Sequence, residues 1–585
     1  MIKFPPSGVA FSLFTHPNNQ RCLKETTRFG EGVRETKTSL EGFTITTSWQ
    51  GTGIQAALTH IGSEPTYVRE LSIQLHYRSP KPAGQIILWT EGEHAGAASH
   101  LRQPAAGTLS QGRSRKGSWA LWMGENQDSE GLFLHVNPPH TGAVNFYCRP
   151  KRHSLLICWP VGKRLQPGQS ISLTPITVTR SPRIQAVTSW RRRWTPTTLQ
   201  PPLASMRIGW CGDQEISSPQ VLQSTIATLR KSGLAPEWFA LGPQYAMSVG
   251  DWLRPTQDFR DRMSGISRTI RSSAIQPALR FAPFLASRKS TIALEHPDWF
   301  VQNSSQKILT TQGYLNPRDT ALILDVTHPE VVEHIRKTLE MAHRQWGFQL
   351  FILERISDAL LPGLRSNPEL GTSDLAQQVR HLLSNTIPSA AIITTDAPVA
   401  GPLALGQART VAPPCLSQPR SATQSAEALL ANAPWNEGGR LNASGLLPAA
   451  LVEGPEDSGR DALLDAAALT CGVLMFTGNP MKLNEERAHR LRKAYDLFAD
   501  SRDGRVHMAQ TTDKGKRPPL VIRNARGWVA LFNFSEKRAG ITLSTELLKS
   551  RLGASALKSA EAGAAFNSPE IHVVLPPRGH RLFKG

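Results

Sequence analysis

Acidic residues that end short apolar runs are the groups in this chain best placed for chemistry. Glu354 closes Phe351-Ile352-Leu353, and Asp396 follows Ile392-Ile393-Thr394-Thr395 and precedes Ala397-Pro398. Asp213 comes two residues after Cys211, and Asp251 sits in Gly250-Asp251-Trp252-Leu253. If the apolar runs are adjacent strands, Glu354 and Asp396 end side by side, and paired carboxylates of this kind can give and take a proton at one reacting bond. Arg280 and Arg409 lie in comparable runs and are the cations that would face such a pocket. Plainer readings stand beside these. Glu354 can be the ion-pair partner of Arg355 or Arg280, Asp396 a turn residue ahead of a proline, and Trp252 either a stacking platform or part of a loop core.

The elements that must position these groups are read from periodicity. From 206 to 477 short apolar runs alternate with helical patterns, and eight strands are expected at 206–211, 236–241, 276–284, 348–354, 390–395, 407–411, 439–442 and 472–477. Strand-helix alternation predicts a parallel sheet with crossover helices, here at 218–232, 260–273, 329–345 and 372–384. Eight such units imply a (β/α)8 barrel of the TIM type, whose functional groups sit at the C-terminal ends of its strands. Before it, period-two text such as Gly42–Trp49, Leu71–Tyr77, Gly131–Val136 and Ser170–Thr174 predicts an antiparallel β-sandwich. Arg191 to Pro202, rich in Arg, Pro and Thr, reads as a linker or wrapping segment. Alternation returns in 527–534 and 571–575, predicting a small C-terminal antiparallel β domain. The expected layout is multidomain α/β plus β: a sandwich with linker over 1–200, a barrel over 201–503 and the β domain over 504–585.

Bulk composition narrows the partners. Lys+Arg 66 against Asp+Glu 46 leaves +20, but the basic residues fall in scattered clusters such as Arg113-Ser114-Arg115-Lys116 and Lys514-Gly515-Lys516-Arg517. With no aromatic-interleaved stripe or RNA-binding signature, a solvated basic surface is expected rather than a nucleic-acid interface. The six cysteines lie far apart and form no CxxC, so reduced thiols are expected and neither a zinc site nor a disulfide framework. The N-terminal residues lack the layout of a secretory signal, and no apolar run reaches the roughly 18 residues of a membrane span. A cytoplasmic protein without metal or cofactor is the expectation, and a homo-oligomer is left open.

Several fragments carry a specific resemblance: Gly209-Trp210-Cys211, Gly250-Asp251-Trp252-Leu253, Leu279-Arg280-Phe281-Ala282-Pro283-Phe284, Glu295-His296-Pro297-Asp298-Trp299, Leu324 to Val331 and Trp346-Gly347-Phe348. Together, over roughly 205–500, they resemble the α-galactosidases (melibiases) of glycoside hydrolase family 36. The resemblance implies a retaining glycosidase of carbohydrate metabolism, in which one carboxylate attacks the anomeric carbon and a second protonates the leaving group. It also marks departures. Where the family carries the paired aspartates that clamp galactose at the end of the second strand, this chain reads Phe239-Ala240-Leu241-Gly242-Pro243-Gln244-Tyr245, and the nucleophilic aspartate of Phe-Lys-Ile-Asp-Phe corresponds to Glu354 in Phe351-Ile352-Leu353-Glu354-Arg355. The acid/base aspartate of Arg-x-x-x-Asp corresponds to Pro413, counted from Arg409. The family's Asn-Asp-Pro-Asp and Ser-Asp correspond to Asn442-Ala443-Ser444-Gly445 and Thr477-Gly478.

Two readings follow. In one, the chain is an α-galactosidase-like hydrolase with a rebuilt site: Glu354 is nucleophile or base, Asp396 is the acid, and Asp213, Asp251, Trp252, Arg280 and Arg409 bind an oligosaccharide or glycoside. In the other, the barrel is a non-catalytic pseudoenzyme that binds a carbohydrate or polyanion, since sites are grafted onto folds and can be lost from them. Asp298 is expected to be structural.

Overall fold

In a computed structural model the described residues are 9–15, 22–27, 35–77, 82, 86–91, 109–194, 203–410, 426, 429–430, 441–447 and 458–584, less segments inside these spans, among them 213–215, 396–399, 511–519 and 545–556. Two antiparallel sheets come first. One runs, in pairing order, through 22–27, 9–14, 66–76, 154–165, 145–149 and 115–118. The other contains 35–40, 43–50, 53–60, 176–181, 131–135, 120–124, 87–91 and 109–111, with 170–172 paired to 53–60. Their inward residues, including Phe11, Ile73, Ile157, Trp89, Trp122 and Phe133, form one buried core, which is why these strands alternate buried and exposed positions.

Of the segment Arg191 to Pro202, read as a linker or wrapping segment, the described part wraps the sandwich as helix. Arg191–Trp194 form the last turn of a helix, Arg183–Trp194, which buries Ala186, Val187 and Trp190 against the sandwich. Three consecutive arginines obscured the i, i+3, i+4 apolar spacing. Residues 195–202 lie outside the described ones.

Eight parallel strands then close on themselves: Ile208–Cys211, Trp238–Leu241, Gln276–Phe281, Leu350–Leu353, Ala391–Thr394, Ala408–Thr410, Leu441–Leu447 and Val473–Thr477, the last pairing back to the first. Each overlaps a predicted strand. Helices Pro219–Lys231, Met263–Ser272, Pro329–Glu340 and Thr372–Thr386 follow the first four strands, and Ser458–Thr470 precedes the eighth. The expected helix 329–345 ends as a π-helical turn, Met341–Gln345. Alternate strand residues (Cys211, Trp238, Ala240, Ala278, Leu350, Ile352, Ala391, Ile393, Val473, Met475) fill the ring, as barrel interiors require. Glycine at 209 is needed here, because a Cβ would lie 2.0 Å from the Trp238 ring.

Between the third and fourth strands the chain builds a three-stranded antiparallel sheet (Leu285–Ser287, Thr320–Ile323, Thr310–Gln312) over one side of the barrel mouth. The His-Pro-Asp-Trp turn packs beneath it: His296 stacks on Trp299 at 4.1 Å, Trp299 Nε1 donates to Glu330 at 3.1 Å, and the Asp325 amide donates to the Trp299 carbonyl at 2.8 Å. Asp298 is 67% exposed, and its carboxylate lies 3.4 Å from His328 Nε2.

The sandwich and the barrel share a seam. Ala400, after the fifth strand, belongs to the sandwich core. A Cβ on Gly401 would lie 2.2 Å from the Trp119 ring. On the other side, Arg164 donates its amide to the Pro368 carbonyl at 2.8 Å and Gln166 bonds Glu369 at 2.9 Å. Past helix Glu485–Ser501 an antiparallel sheet runs through 506–510, 520–524, 528–532, 580–584, 557–559 and 565–566, beside the pair 539–544 and 570–575. Among the described residues no helix is long and apolar enough to cross a membrane.

Candidate active site

Parallel strands put their C-terminal ends at one rim of the ring, and the third and fourth strands pair in register Arg280↔Ile352 and Phe281↔Leu353. The period of two that turns Ala278, Leu350 and Ile352 inward turns Arg280 and Glu354 inward as well, one layer higher. The Glu354 amide donates to the Phe281 carbonyl at 3.0 Å, which continues the ladder by one residue and fixes where this carboxylate starts.

Glu354 Oε2 accepts from Arg280 Nε at 3.0 Å and from the Tyr314 hydroxyl. Arg280 and Tyr314 are buried and Glu354 is 12% exposed, so a charged cluster lies just beneath the rim. Burial, then the charge of Glu354, push the Tyr314 phenol well above its ordinary range, so the phenol stays a donor. Among the described residues Glu354 Oε1 accepts no hydrogen bond. Trp252 walls this cluster: its ring lies edge-on to Tyr314 at 6.3 Å and tilted on Phe281 at 5.4 Å, and it is 1% exposed. It therefore packs as loop core and supports Tyr314 from behind.

Arg355, the other cation weighed for Glu354, takes a left-handed φ of 56°. That turn carries its side chain away, to Asp358 Oδ2 at 2.9 Å through Nε, the Gln312 carbonyl at 2.9 Å and Thr311 Oγ1 at 2.9 Å. The arginine thereby ties the end of the fourth strand to the strand that leads into Tyr314. A non-glycine residue in this region costs about 1–2 kcal/mol, and these contacts to fixed partners offset it.

Asp251 is buried at 4%, and its carboxylate accepts from the Thr291 amide at 2.9 Å and the Ile292 amide at 3.3 Å, the first turn of the short helix Thr291–Glu295. Both oxygens are thus engaged in fixing a loop. Arg409 lies in the sixth strand opposite Thr394 and Asn442, with its side chain outside the described residues. Asp213 and Asp396 also lie outside them. Of the sequence candidates, the structure brings Glu354, Arg280 and Trp252 together. Tyr314 was missed, because it enters from a loop 40 residues away and no local period marks it. Among the described residues no group of three or more His, Cys, Asp or Glu could hold a metal ion.

A family model described as Melibiase matches residues 229–349, a span that includes Arg280 and Tyr314 and stops short of Glu354. Solved structures give a wider likeness. The α-galactosidase TtGalA of Thermus thermophilus, in complex with p-nitrophenyl α-D-galactopyranoside, superposes with a TM-score of 0.56 at 16% identity, over 84% of this chain and 97% of that one. The family 36 α-galactosidase AgaB of Geobacillus stearothermophilus gives 0.60 at 12% identity, over 99% and 89%. The α-galactosidase of Lactobacillus brevis gives 0.59 at 12%, over 99% and 87%. Identities this low show a shared fold. Together with the melibiase match over 229–349, that fold makes this chain similar to the α-galactosidases of glycoside hydrolase family 36.

Proposed function

We propose that the barrel mouth is a glycoside site centred on Glu354, in a full (β/α)8 barrel over 201–503 flanked by the sandwich of 1–200 and the β domain of 504–585, and that ordinary α-galactosides are poor substrates for it. The observation that carries the proposal is the inward-facing carboxylate at the end of the fourth strand, with one oxygen held by Arg280 and Tyr314. Two donors to Oε2 fix the side chain and leave Oε1 to act. In the reaction proposed, Oε1 attacks the anomeric carbon as the bond to the leaving oxygen breaks, and that oxygen takes a proton from Asp396. Water then attacks the glycosyl-Glu354 ester, giving its proton to Asp396 and releasing Glu354 as a carboxylate. If the two carboxyl groups stand about 6.5–9.5 Å apart, Glu354 instead acts as base toward water. Asp213, Arg280 and Arg409 are proposed as sugar-binding groups, with Trp252 and Asp251 holding the loops around them. Poor use of α-galactosides follows from Leu241-Gly242-Pro243 after the second strand, which offers no carboxylate to the galactose hydroxyls.

A second reading, a binding module without turnover, draws on the same Arg280–Glu354 ion pair, because a nucleophile shared with a guanidinium attacks less readily. TtGalA has been solved with p-nitrophenyl α-D-galactopyranoside and with stachyose, so these are the first ligands to try here. The test is hydrolysis of aryl α- and β-glycosides by the protein and by Glu354→Gln, with calorimetric titration of stachyose alongside. Turnover lost in the variant supports the rebuilt site. Stachyose binding without turnover supports the second reading, and turnover unchanged in Glu354→Gln overturns the role given to Glu354.

A further inference from the structure

A cleft of ≈ 820 Å³, lined by none of Glu354, Arg280 or Tyr314, opens between the loop after the second strand, the start of helix Met263–Ser272 and the π-helical turn Met341–Gln345. Its volume falls in the range of small-ligand sites, about 300–1,000 Å³. The floor is apolar, from Met263, Met341 and Trp346, and Met247 stands 62% exposed at its edge. Trp346 is fixed by its edge-on contact with the buried Tyr245 at 5.9 Å.

Three cations line the same cleft. Arg254 is braced by Thr291 Oγ1 at 2.7 Å, while the side chains of Arg260 and Lys289 make no hydrogen bond or ion pair among the described residues. Two carboxylates line it as well. Asp251 has both oxygens taken by backbone amides, which leaves Asp261 as the one acid facing three basic groups. Ser248, Ser264 and Gln345 add hydroxyl and amide groups around the rim.

We propose that this cleft is a second ligand site, distinct from the barrel mouth, for an anionic oligosaccharide such as a short uronate. The indole and methionine surface takes the apolar face of a sugar ring, and Arg254, Arg260 and Lys289 take its carboxylates. The proposal stands independently of whether Glu354 is catalytic.

The test is calorimetric titration of the full chain with tri-galacturonate, inorganic phosphate and neutral raffinose at 50 and 500 mM NaCl, repeated on Arg260→Ala/Lys289→Ala and on Glu354→Gln. Both substituted cations are exposed, so the double variant keeps its fold, and its thermal midpoint checks this. Expected is tri-galacturonate binding that weakens at least tenfold in the double variant, weakens several-fold at high salt and is unchanged in Glu354→Gln. No binding, or equal binding by the double variant, overturns the site. Loss in Glu354→Gln overturns its separateness from the mouth. Phosphate binding as tightly overturns the saccharide part, and raffinose binding as tightly overturns the anionic part.

Discussion

Glu354 shares one carboxylate oxygen between a guanidinium and a phenol, and that sharing governs all three residues. Tyr314→Phe keeps the ring against Trp252 and removes only the donor. The expected result is a loss of about 1–3 kcal/mol, read as a lower urea midpoint with an unchanged m-value. If the barrel turns over any aryl glycoside, kcat should fall in this variant more than KM rises, because the hydroxyl positions the carboxylate without touching a sugar. The sequence allowed Glu354 two cationic partners, Arg280 and Arg355. Only the backbone chooses between them: strand register brings Arg280 inward at the same height, and the left-handed turn at Arg355 swings the other guanidinium to Asp358 and Thr311. Tyr314 left no trace in the sequence, since its role comes from a loop folding back over the rim.

At the scale of elements, barrel strands such as Trp238–Leu241, Leu350–Leu353, Ala391–Thr394 and Val473–Thr477 were legible because they are short apolar runs buried on both faces, a pattern that survives without homologues. The sheet formed by 285–287, 310–312 and 320–323 was not, because strands of three or four residues are too short to show alternation. Nor was the sandwich-covering helix Arg183–Trp194, whose charged residues hide its apolar stripe. Asp251 illustrates how an element claims a residue that looked chemical. A carboxylate next to a tryptophan in a barrel loop suggested sugar binding, yet it accepts from the first amides of Thr291–Glu295. Asp251→Ala should cost about 0.5–2 kcal/mol and Asp251→Asn less, in equilibrium urea unfolding. Equal stability with altered glycoside affinity would place Asp251 in binding instead.

Across the whole molecule, polar contacts join the parts and give stability a dependence on pH. The last strand meets the barrel helices at Asp465, which accepts from His580 Nε2 at 2.5 Å and from Arg490 Nη2 at 2.8 Å. Burial pushes this carboxyl up, but His580 and Arg490 outweigh it and hold it below its usual value. A lowered folded pKa contributes stability above the unfolded value and loses it as pH falls through the folded one. Asp465→Asn should therefore destabilise at neutral pH, by about 3–5 kcal/mol, and expose 504–585 to limited proteolysis, with the difference from the parent shrinking in acid. At the alkaline end, burial pushes the Cys148 and Cys471 thiols and the Tyr67 phenol up to about 12. These folded values lie above the unfolded ones, so their contribution is complete below about pH 8.5 and falls away toward pH 12. A spectrophotometric titration at 295 nm should show tyrosine ionisation arriving together with unfolding.

The seam at Gly401 bears on how such a chain can be inherited. The turn after the fifth strand, the strand that leads to Asp396, is moulded on Trp119 of the sandwich, and a single Cβ would foul it. Exchange of the sandwich by recombination with a relative must therefore bring in an indole and its matching glycine together, or leave the barrel rim misshapen. A fragment begun at residue 201 would carry that turn into water with its apolar support gone. The two parts travel as one heritable unit, and engineering that treats the barrel as a detachable cassette should fail first at this turn.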